Sequence, residues 1–151
     1  MKHYIIDGNN LIGKIPSINK LQKRNKQTSR EKLAFLLERY FSNKKASVSL
    51  HFDGHVNEAI KITGIRIKYS ENQSADNQIK KEIEKSKNPK NIILISSDNN
   101  IAEFARVCSC HVKKSEDFAK ELLFKRASDE EKSRIEEINN PGEFKKLFGL
   151  K

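Results

Sequence analysis

The sequence predicts an α/β sandwich built on a mostly parallel central sheet of about five strands. Short apolar runs that read as strands alternate with segments of helical periodicity, which is the pattern of a parallel sheet covered by helices. The run at residues 92–95, IILI, shows no alternation of apolar and polar residues, as expected of a strand buried on both faces. Three of the predicted strands end on an aspartate, which places polar chemistry at one sheet edge.

The first strand is predicted in HYIID, where an apolar β-branched run stops at Asp7. A basic segment at 13–29 follows and is predicted as a loop or short helix, because it contains Pro16 and no acid. Thr28 and Glu31 then predict a capping box. The helix that follows carries apolar residues at the spacing of one buried face, namely Leu33, Leu36, Leu37, Tyr40 and Phe41.

The second strand is predicted at 47–52, where apolar and polar residues alternate up to Asp53. A third strand is predicted from Ile65 to Tyr69. The connection between them has only about ten residues, which is short for the crossover that two parallel strands need. Spacing alone therefore leaves the direction of the third strand open.

The second half of the chain continues the alternation of strands and helices. Ser74 is predicted to cap a helix with Asp76 in its first turn, Ile79 and Ile83 facing the core. The fourth strand, 91–97, ends on Asp98, and a helix follows with Ile101, Phe104, Ala105 and Cys108 inward. A short fifth strand at 110–112 precedes a helix capped by Ser115, with Phe118, Leu122 and Leu123 on its core side.

The last part of the chain predicts a helical cap over about 128–151. A helix is expected to begin at Ser128, boxed with Glu131. After Pro141, one or two further turns would dock Phe144, Leu147 and Phe148. With 151 residues the chain is long enough for one domain with a real core, and we expect a single domain over 1–151.

The basic residues are unevenly distributed. The chain has a formal net charge of +10, and residues 14–45 contain ten basic residues against two acids. Such clustering fits a polyanion partner, most simply nucleic acid, although a solvated lysine-rich surface fits the charge alone equally well. The basic residues expected to contact phosphates are Lys14, Lys20, Lys23, Arg24, Lys26 and Arg30.

The composition also narrows the cellular setting. No apolar run approaches the roughly 20 residues of a membrane span, and the first residues lack the pattern of a secretory signal. Cys108 and Cys110 are too close in sequence to staple a fold, and no second Cys/His pair completes a zinc site with His111. We expect a cytoplasmic protein with buried or neutral thiols and no contact with membranes.

Four carboxylates are predicted to meet at one edge of the sheet: Asp7, Asp53 and Asp98 after strands, and Asp76 at a helix start. Such a cluster favours a hard divalent cation, Mg²⁺ or Mn²⁺, which could promote in-line attack on a phosphodiester. Simpler interpretations exist for three of them. Asp98 could cap a helix, Asp76 could complement a helix dipole and Asp53 could form a turn.

Several motifs are absent. No glycine-rich GxGxxG or Walker loop follows the first strand, which disfavours a nucleotide cofactor. Asn9 stands two residues after Asp7, which argues against phosphatases with a DxD pair, and no GxSxG elbow is present. His55 is near the predicted edge and is interpreted as a loop residue rather than a base.

Four blocks together resemble a known family: DGNNLI at 7–12, FDGH at 52–55, ENQSADNQI at 71–79 and SSDNNIAEFA at 96–105. In this order and spacing they resemble the YacP-like branch of the NYN domain, within the PIN-like nuclease superfamily, and the segment 143–148 resembles the family's EFxKLF ending. The resemblance implies a PIN-like Rossmannoid three-layer sandwich with the third strand parallel. It also implies endoribonuclease activity that depends on Mg²⁺ or Mn²⁺ and leaves a 5′-phosphate.

The resemblance also assigns residues. Asp7, Asp76 and Asp98 match the family's metal-binding acids, Asn10 the asparagine of its DGxN motif, and Asp53 the acid of its FDxH block. We expect an endoribonuclease that acts on mRNA or rRNA, with the ribosome as a candidate partner. Two alternatives stay open: an RNA- or ribosome-binding module without turnover, and a structure-specific DNA nuclease.

Overall fold

The computed structural model describes residues 1–138, which form one five-stranded sheet with helices on both faces. All four strand pairings are parallel, in the order β3-β2-β1-β4-β5. The strands are β1 (Lys2–Asp7), β2 (Ala46–Phe52), β3 (Arg66–Tyr69), β4 (Ile92–Ile95) and β5 (His111–Lys113). The helices are α1 (Gly8–Ile12), α2 (Pro16–Arg24), α3 (Lys26–Phe41), α4 (Ala75–Lys85), α5 (Asn99–Val107) and α6 (Ser115–Ile138), with a 3₁₀ turn at Pro89–Asn91.

Each face of the sheet has its own apolar core, because side chains alternate along a strand. Ile6 and Leu50 belong to the larger core, formed with the helices α1, α2, α3 and α6. Ile5 and Leu94 belong to the smaller core, formed with α4 and α5. The predicted three-layer α/β sandwich with a parallel sheet of about five strands is therefore confirmed.

The third strand is parallel to the second, with Ser49 opposite Arg66 and Phe52 opposite Tyr69. The connection between them contains no helix. Ile60 and Ile62 from this connection pack against the larger core. An irregular segment anchored by two isoleucines thus makes the crossover that helices make elsewhere in the sheet.

The start of α3 differs from the prediction. The Asn25 side chain accepts a hydrogen bond from the Thr28 backbone N–H at 3.2 Å, so the helix begins at Lys26. Asparagine is a stronger N-cap than threonine. Glu31 makes no capping box, since its carboxylate accepts from the Gln27 side chain at 2.9 Å.

The end of the described chain also differs. Residues 115–138 form a single helix, so the separate helix predicted from Ser128 is wrong; no Gly or Pro interrupts this stretch. Ser115 is the first residue of α6, not its cap, and its hydroxyl donates to Asn10. The predicted turns after Pro141 and the EFxKLF-like ending lie outside the described residues.

The start of the fifth strand and the state of the cysteines can also be compared with the predictions. The fifth strand begins at His111, one residue later than predicted. Both cysteines are free, and burial raises the pKa of the Cys110 thiol to about 11, so this thiol is neutral as expected. None of the helices in residues 1–138 is both long and apolar enough to cross a membrane.

Candidate active site

Asp7 is the most deeply buried of the predicted carboxylates. It ends the central strand β1 and is only 7% exposed. The Ser96 hydroxyl, one residue after the adjacent β4, donates to its Oδ2 at 3.1 Å. Burial raises the pKa of Asp7 to about 6, and repulsion from Asp76 and Asp53 acts in the same direction. Among residues 1–138, no ion pair compensates the charged form of Asp7.

Asn10 joins three parts of the chain beside Asp7. Its Oδ1 accepts from the backbone N–H of Ser97 at 2.9 Å and from the Ser115 hydroxyl at 2.6 Å. These bonds connect α1 to the loop after β4 and to the first residue of α6. Asn10 is therefore placed to fix the relative positions of the segments that surround Asp7, rather than to act as a free ligand.

Asp98 and Asp76 lie at the starts of two helices that pack together, α5 and α4. Asp98 caps α5, accepting from the Asn100 backbone N–H at 2.9 Å, so the prediction that it caps a helix is confirmed. The pKa of Asp76 is raised, by burial first and then by the charges of Asp98 and Asp53, while Lys80 opposes the rise. Asp98 therefore lies close enough to Asp76 for its charge to raise the pKa of Asp76.

Asp53 has a different position. Its Oδ1 accepts from the Ala75 backbone N–H at 2.9 Å, at the first residue of α4. Its own backbone N–H donates to the Asn9 side chain at 2.9 Å. Asp53 thus connects the end of β2 to the helix that carries Asp76, and it is exposed to solvent.

Glu116 is a further carboxylate that the sequence did not single out. It lies in the first turn of α6 and accepts from the Ser97 hydroxyl, while Lys14 is 3.9 Å away. The hydrogen bond from Ser97 lowers its pKa, with help from lysine charges. No local pattern marks Glu116, because its place beside the site depends on α6 starting next to the end of β4.

The carboxylate oxygens at this edge are suitable ligands for a hard cation, but they do not form a complete coordination site by themselves. Among residues 1–138, no three His, Cys, Asp or Glu side chains are arranged closely enough to hold a metal ion by themselves. Mg²⁺ commonly binds through one or two carboxylates and keeps several waters. Burial raises the pKa of Asp7 and of Asp76, and repulsion from neighbouring carboxylates adds to the rise. A bound divalent cation would relieve both effects, because it favours the charged form of the carboxylates.

Five of the six basic residues predicted to contact phosphates are exposed, among them Lys14 and Lys26. Lys20, Lys23 and Arg24 line one shallow depression of about 550 Å³ on α2. This surface belongs to the side of the sheet covered by α1, α2, α3 and α6.

Arg30 is the exception, and its assignment to the phosphate-binding surface is wrong. It is 2% exposed, and its guanidinium donates to the backbone carbonyls of His55 at 3.0 Å and Asp53 at 2.5 Å. The same group lies over the rings of Phe52 and Tyr69, at 5.4 and 5.3 Å. Arg30 therefore holds the loop after β2 in place.

A five-stranded parallel sheet with helices on both faces and carboxylates after its strands defines a three-layer α/β domain with a candidate site at the carboxyl ends of the strands. A family model described as the YacP-like NYN domain matches residues 4–147. The chain therefore belongs to the YacP-like NYN family, within a superfamily of nucleases. This confirms the resemblance of the four sequence blocks.

Solved structures agree with this assignment. The crystal structure of Rae1 (YacP) from Bacillus subtilis matches with a TM-score of 0.74 and 20% sequence identity, covering 99% of this chain and 88% of that one. A tryptophan-to-leucine variant of the same protein gives the same TM-score and identity, covering 98% and 91%. At this identity the likeness shows a shared fold. No curated protein matches the chain.

Proposed function

We propose that this protein is a metal-dependent endoribonuclease that hydrolyses RNA phosphodiester bonds at the carboxyl edge of its sheet. The observation that carries the proposal is the position of Asp7, buried at the end of the central strand with its pKa raised and repelled by neighbouring carboxylates. The family of the chain supports a nuclease. The exposed basic residues on α2 support a polyanionic substrate.

Asp7, Asp76 and Asp98 would hold Mg²⁺ or Mn²⁺. When bound, the cation supplies an activated water and stabilises the leaving oxygen. Asn10 fixes the loop after β4 relative to α1 through its bond to Ser97. Asp53 keeps the start of α4, and with it Asp76, at the edge of the sheet.

We propose that the substrate is RNA, mRNA or rRNA in a cytoplasmic setting where the ribosome is a candidate partner. Its phosphates would contact Lys14, Lys20, Lys23, Arg24 and Lys26, which are all exposed. Such contacts are blind to sequence. We also propose that the whole chain, 1–151, folds as one domain with a helical cap at its C-terminal end.

The test is cleavage of labelled RNA by the purified full-length protein in the presence of Mn²⁺. We expect products with a 5′-phosphate, and we expect Asp7→Asn and Asp98→Asn to abolish them. Asp129→Asn is the matched control, since Asp129 lies well along α6 and pairs with Lys125, and its activity should equal that of the natural protein. Absence of any cleavage that Asp7→Asn removes would contradict the proposal.

A second candidate is a binding module of the same fold, favoured by one observation: the described carboxylates form no closed three-ligand group. Calorimetric titration with Mn²⁺ distinguishes the nuclease from the binding module. Retained RNA binding with no Mn²⁺ binding at millimolar concentrations would favour the module. A DNA strand of the same sequence, tested in parallel, would reveal a DNA nuclease by faster cleavage of DNA than of RNA.

A further inference from the structure

Two neighbouring asparagines on α1 make hydrogen bonds to the loops on either side of the central strand. Asn10 accepts from the backbone N–H of Ser97, in the loop after β4. Asn9 accepts from the backbone N–H of Asp53, in the loop after β2, with 2.9 Å between its Oδ1 and the backbone nitrogen. Both loops are therefore connected to the helix that begins directly after Asp7.

Helix α1 lies against the end of β2 with no room for a side chain at Gly8. A Cβ atom at this position would lie 2.6 Å from the carbonyl oxygen of His51 and 2.7 Å from the ring of Phe52. Both distances are far shorter than van der Waals contact, so only a glycine fits. Because of this close approach, the short side chain of Asn9 reaches the loop that follows Phe52.

The bond between Asn9 and Asp53 belongs to a series of contacts that runs from Asp7 to Asp76. The side chain of Asp53 accepts from the backbone N–H of Ala75 at 2.9 Å. Ala75 is the first residue of α4, and Asp76 follows it. The spacing between Asp7 and Asp76 therefore depends on the loop after β2, which is bonded to α1 on one side and to α4 on the other.

Other anchors of this loop connect it to α3 and to the segment after β3. Arg30, on α3, donates to the backbone carbonyl of Asp53 at 2.5 Å. The Ser70 hydroxyl accepts from the backbone N–H of Gly54 at 2.9 Å. These contacts fix the loop relative to the core and to the edge of the sheet. The bond to Asn9 fixes it relative to α1.

We propose that Asn9 is a positioning residue, which holds the loop after β2 so that Asp7 and Asp76 have the spacing needed to bind the same divalent cation. The inference rests on the proposed function. The charge of Asp53 raises the pKa of both Asp7 and Asp76, which indicates that the loop lies near both carboxylates. Removal of groups that orient metal ligands typically weakens metal binding about 10–100-fold.

The first test is calorimetric titration of the full-length protein with Mn²⁺ in the absence of RNA. Asn9→Ala removes the acceptor without changing the net charge, so a weaker affinity reports a change in the position of the carboxylates. We expect roughly tenfold weaker binding, at the lower end of the range for groups that orient ligands, because Asn9 acts through Asp53. Asn9→Asp retains an oxygen acceptor and should bind Mn²⁺ at least as tightly as the natural protein.

The second test requires neither a metal nor activity. Exchange of the Asp53 backbone N–H with water, measured by NMR, reports directly on its bond to Asn9. Asn9→Ala should make this exchange roughly fivefold faster, as expected for the loss of one hydrogen bond, whereas Asn9→Asp should not. If Asn9→Ala does not fold, Asn9→Gln replaces it in both tests, because its longer side chain displaces the acceptor.

The matched control is Asn43→Ala. Asn43 is exposed in the turn before β2, at the opposite end of that strand from Asp53. This variant should change neither the Mn²⁺ affinity nor the exchange of the Asp53 N–H. Asn9→Ala and Asn43→Ala should both melt within a few degrees of the natural protein, since neither removes a buried apolar group.

An Mn²⁺ affinity of Asn9→Ala equal to that of the natural protein would overturn the inference and leave the proposed function intact. Weaker Mn²⁺ binding without faster exchange of the Asp53 N–H would also overturn it, because Asn9 would then act on the cation directly. A natural protein that binds no Mn²⁺ would contradict the proposed function and, with it, this inference. The titration of the natural protein therefore distinguishes the two failures.

Discussion

The carboxylate of Asp53 accepts a hydrogen bond from the backbone N–H of Ala75 at 2.9 Å, which fastens the end of β2 to the first residue of α4. The helix carries Asp76 one residue later. Asp53 is therefore placed to influence the candidate site through the position of α4, in addition to its charge, which raises the pKa of Asp7 and of Asp76. Asp53 thus acts like a helix N-cap, although it follows the strand β2 and is not adjacent to α4 in the sequence.

We expect Asp53→Ala to lower the cleavage rate at least tenfold and to destabilise the fold by roughly 1 kcal/mol, the usual cost of a lost N-cap. Asp53→Asn keeps an oxygen acceptor for Ala75 and should restore most of both losses. Cleavage assays and urea unfolding of the two variants measure this. A rate as low in Asp53→Asn as in Asp53→Ala would show that the charge of Asp53, and not its hydrogen bond, is what matters.

Asp7 should cost the protein stability at neutral pH. Its pKa is raised from 3.8 to about 6 in the folded state, so the folded protein binds the proton more tightly than the unfolded chain. The contribution of this group to stability therefore falls as pH rises from about 4 to about 6. Asp7→Asn should gain roughly 1–3 kcal/mol at pH 7, with the gain vanishing below about pH 4.

Thermal unfolding of the Asp7→Asn protein and its parent across pH 3.5–8 tests this expectation. Asn can still accept from the Ser96 hydroxyl that bonds to Asp7, so the substitution changes mainly the charge. Asp129→Asn, at a partly exposed ion pair, should show no comparable gain at pH 7. An Asp7→Asn protein that is less stable than its parent at pH 7 would contradict the raised pKa of Asp7 in the folded state.

The effect of Glu82 on the pH dependence of stability is opposite in sign to that of Asp7. Burial acts to raise the pKa of Glu82, but hydrogen bonds from His3, His51 and Lys68, with a further contribution from Ser49, lower it overall. A lowered pKa contributes stability that is present above the unfolded value of about 4.5 and is lost as pH falls through the folded value. Glu82→Gln should cost roughly 2–4 kcal/mol at pH 7, since it breaks a partly buried network.

The cost of Glu82→Gln should shrink as pH falls below about 4.5, because the natural carboxylate then begins to lose its advantage. Urea midpoints at pH 7 and pH 3.5 measure this change. Glu84→Gln, on the exposed side of the same helix, is the control and should have little effect at either pH. A cost for Glu82→Gln that is constant with pH would mean that packing, and not charge, dominates at this position.

The strands and their terminal aspartates could be predicted from the sequence because the signal is local. An apolar run that stops at Asp7 or at Asp98 requires only its neighbours to be recognised. Contacts between distant segments carry no such signal. Glu116 borders the site only because α6 begins beside the end of β4, and Glu82 meets His51 across 31 positions of sequence.

Local signals also mislead where two of them compete. Ser128 and Glu131 have the spacing of a capping box, yet the stretch from Ser115 onward contains no residue that ends a helix, and the helix continues through. Arg30 belongs by charge to the neighbouring lysines. By helical periodicity it shares the buried face of Leu33 and Leu37, and in the structure the periodicity decides its place.

The two kinds of basic residue on α2 and α3 should separate cleanly in experiment. Arg30→Ala removes a buried guanidinium that donates to two backbone carbonyls and packs on two aromatic rings, so it should destabilise the fold by roughly 2–4 kcal/mol. Lys23→Ala with Arg24→Ala removes two exposed charges and should change stability by less than about 0.5 kcal/mol.

The effects on RNA binding should be reversed. Lys23→Ala with Arg24→Ala should lower the slope of log K against log salt by about 1.4, if each contacts one phosphate of a single strand. Arg30→Ala, measured below its melting temperature, should leave the slope unchanged. Anisotropy titrations on both proteins test these expectations. An unchanged slope in the Lys23/Arg24 variant would show that RNA does not bind along α2. A reduced slope in folded Arg30→Ala would show that the loop after β2, which Arg30 holds in place, contributes to RNA binding.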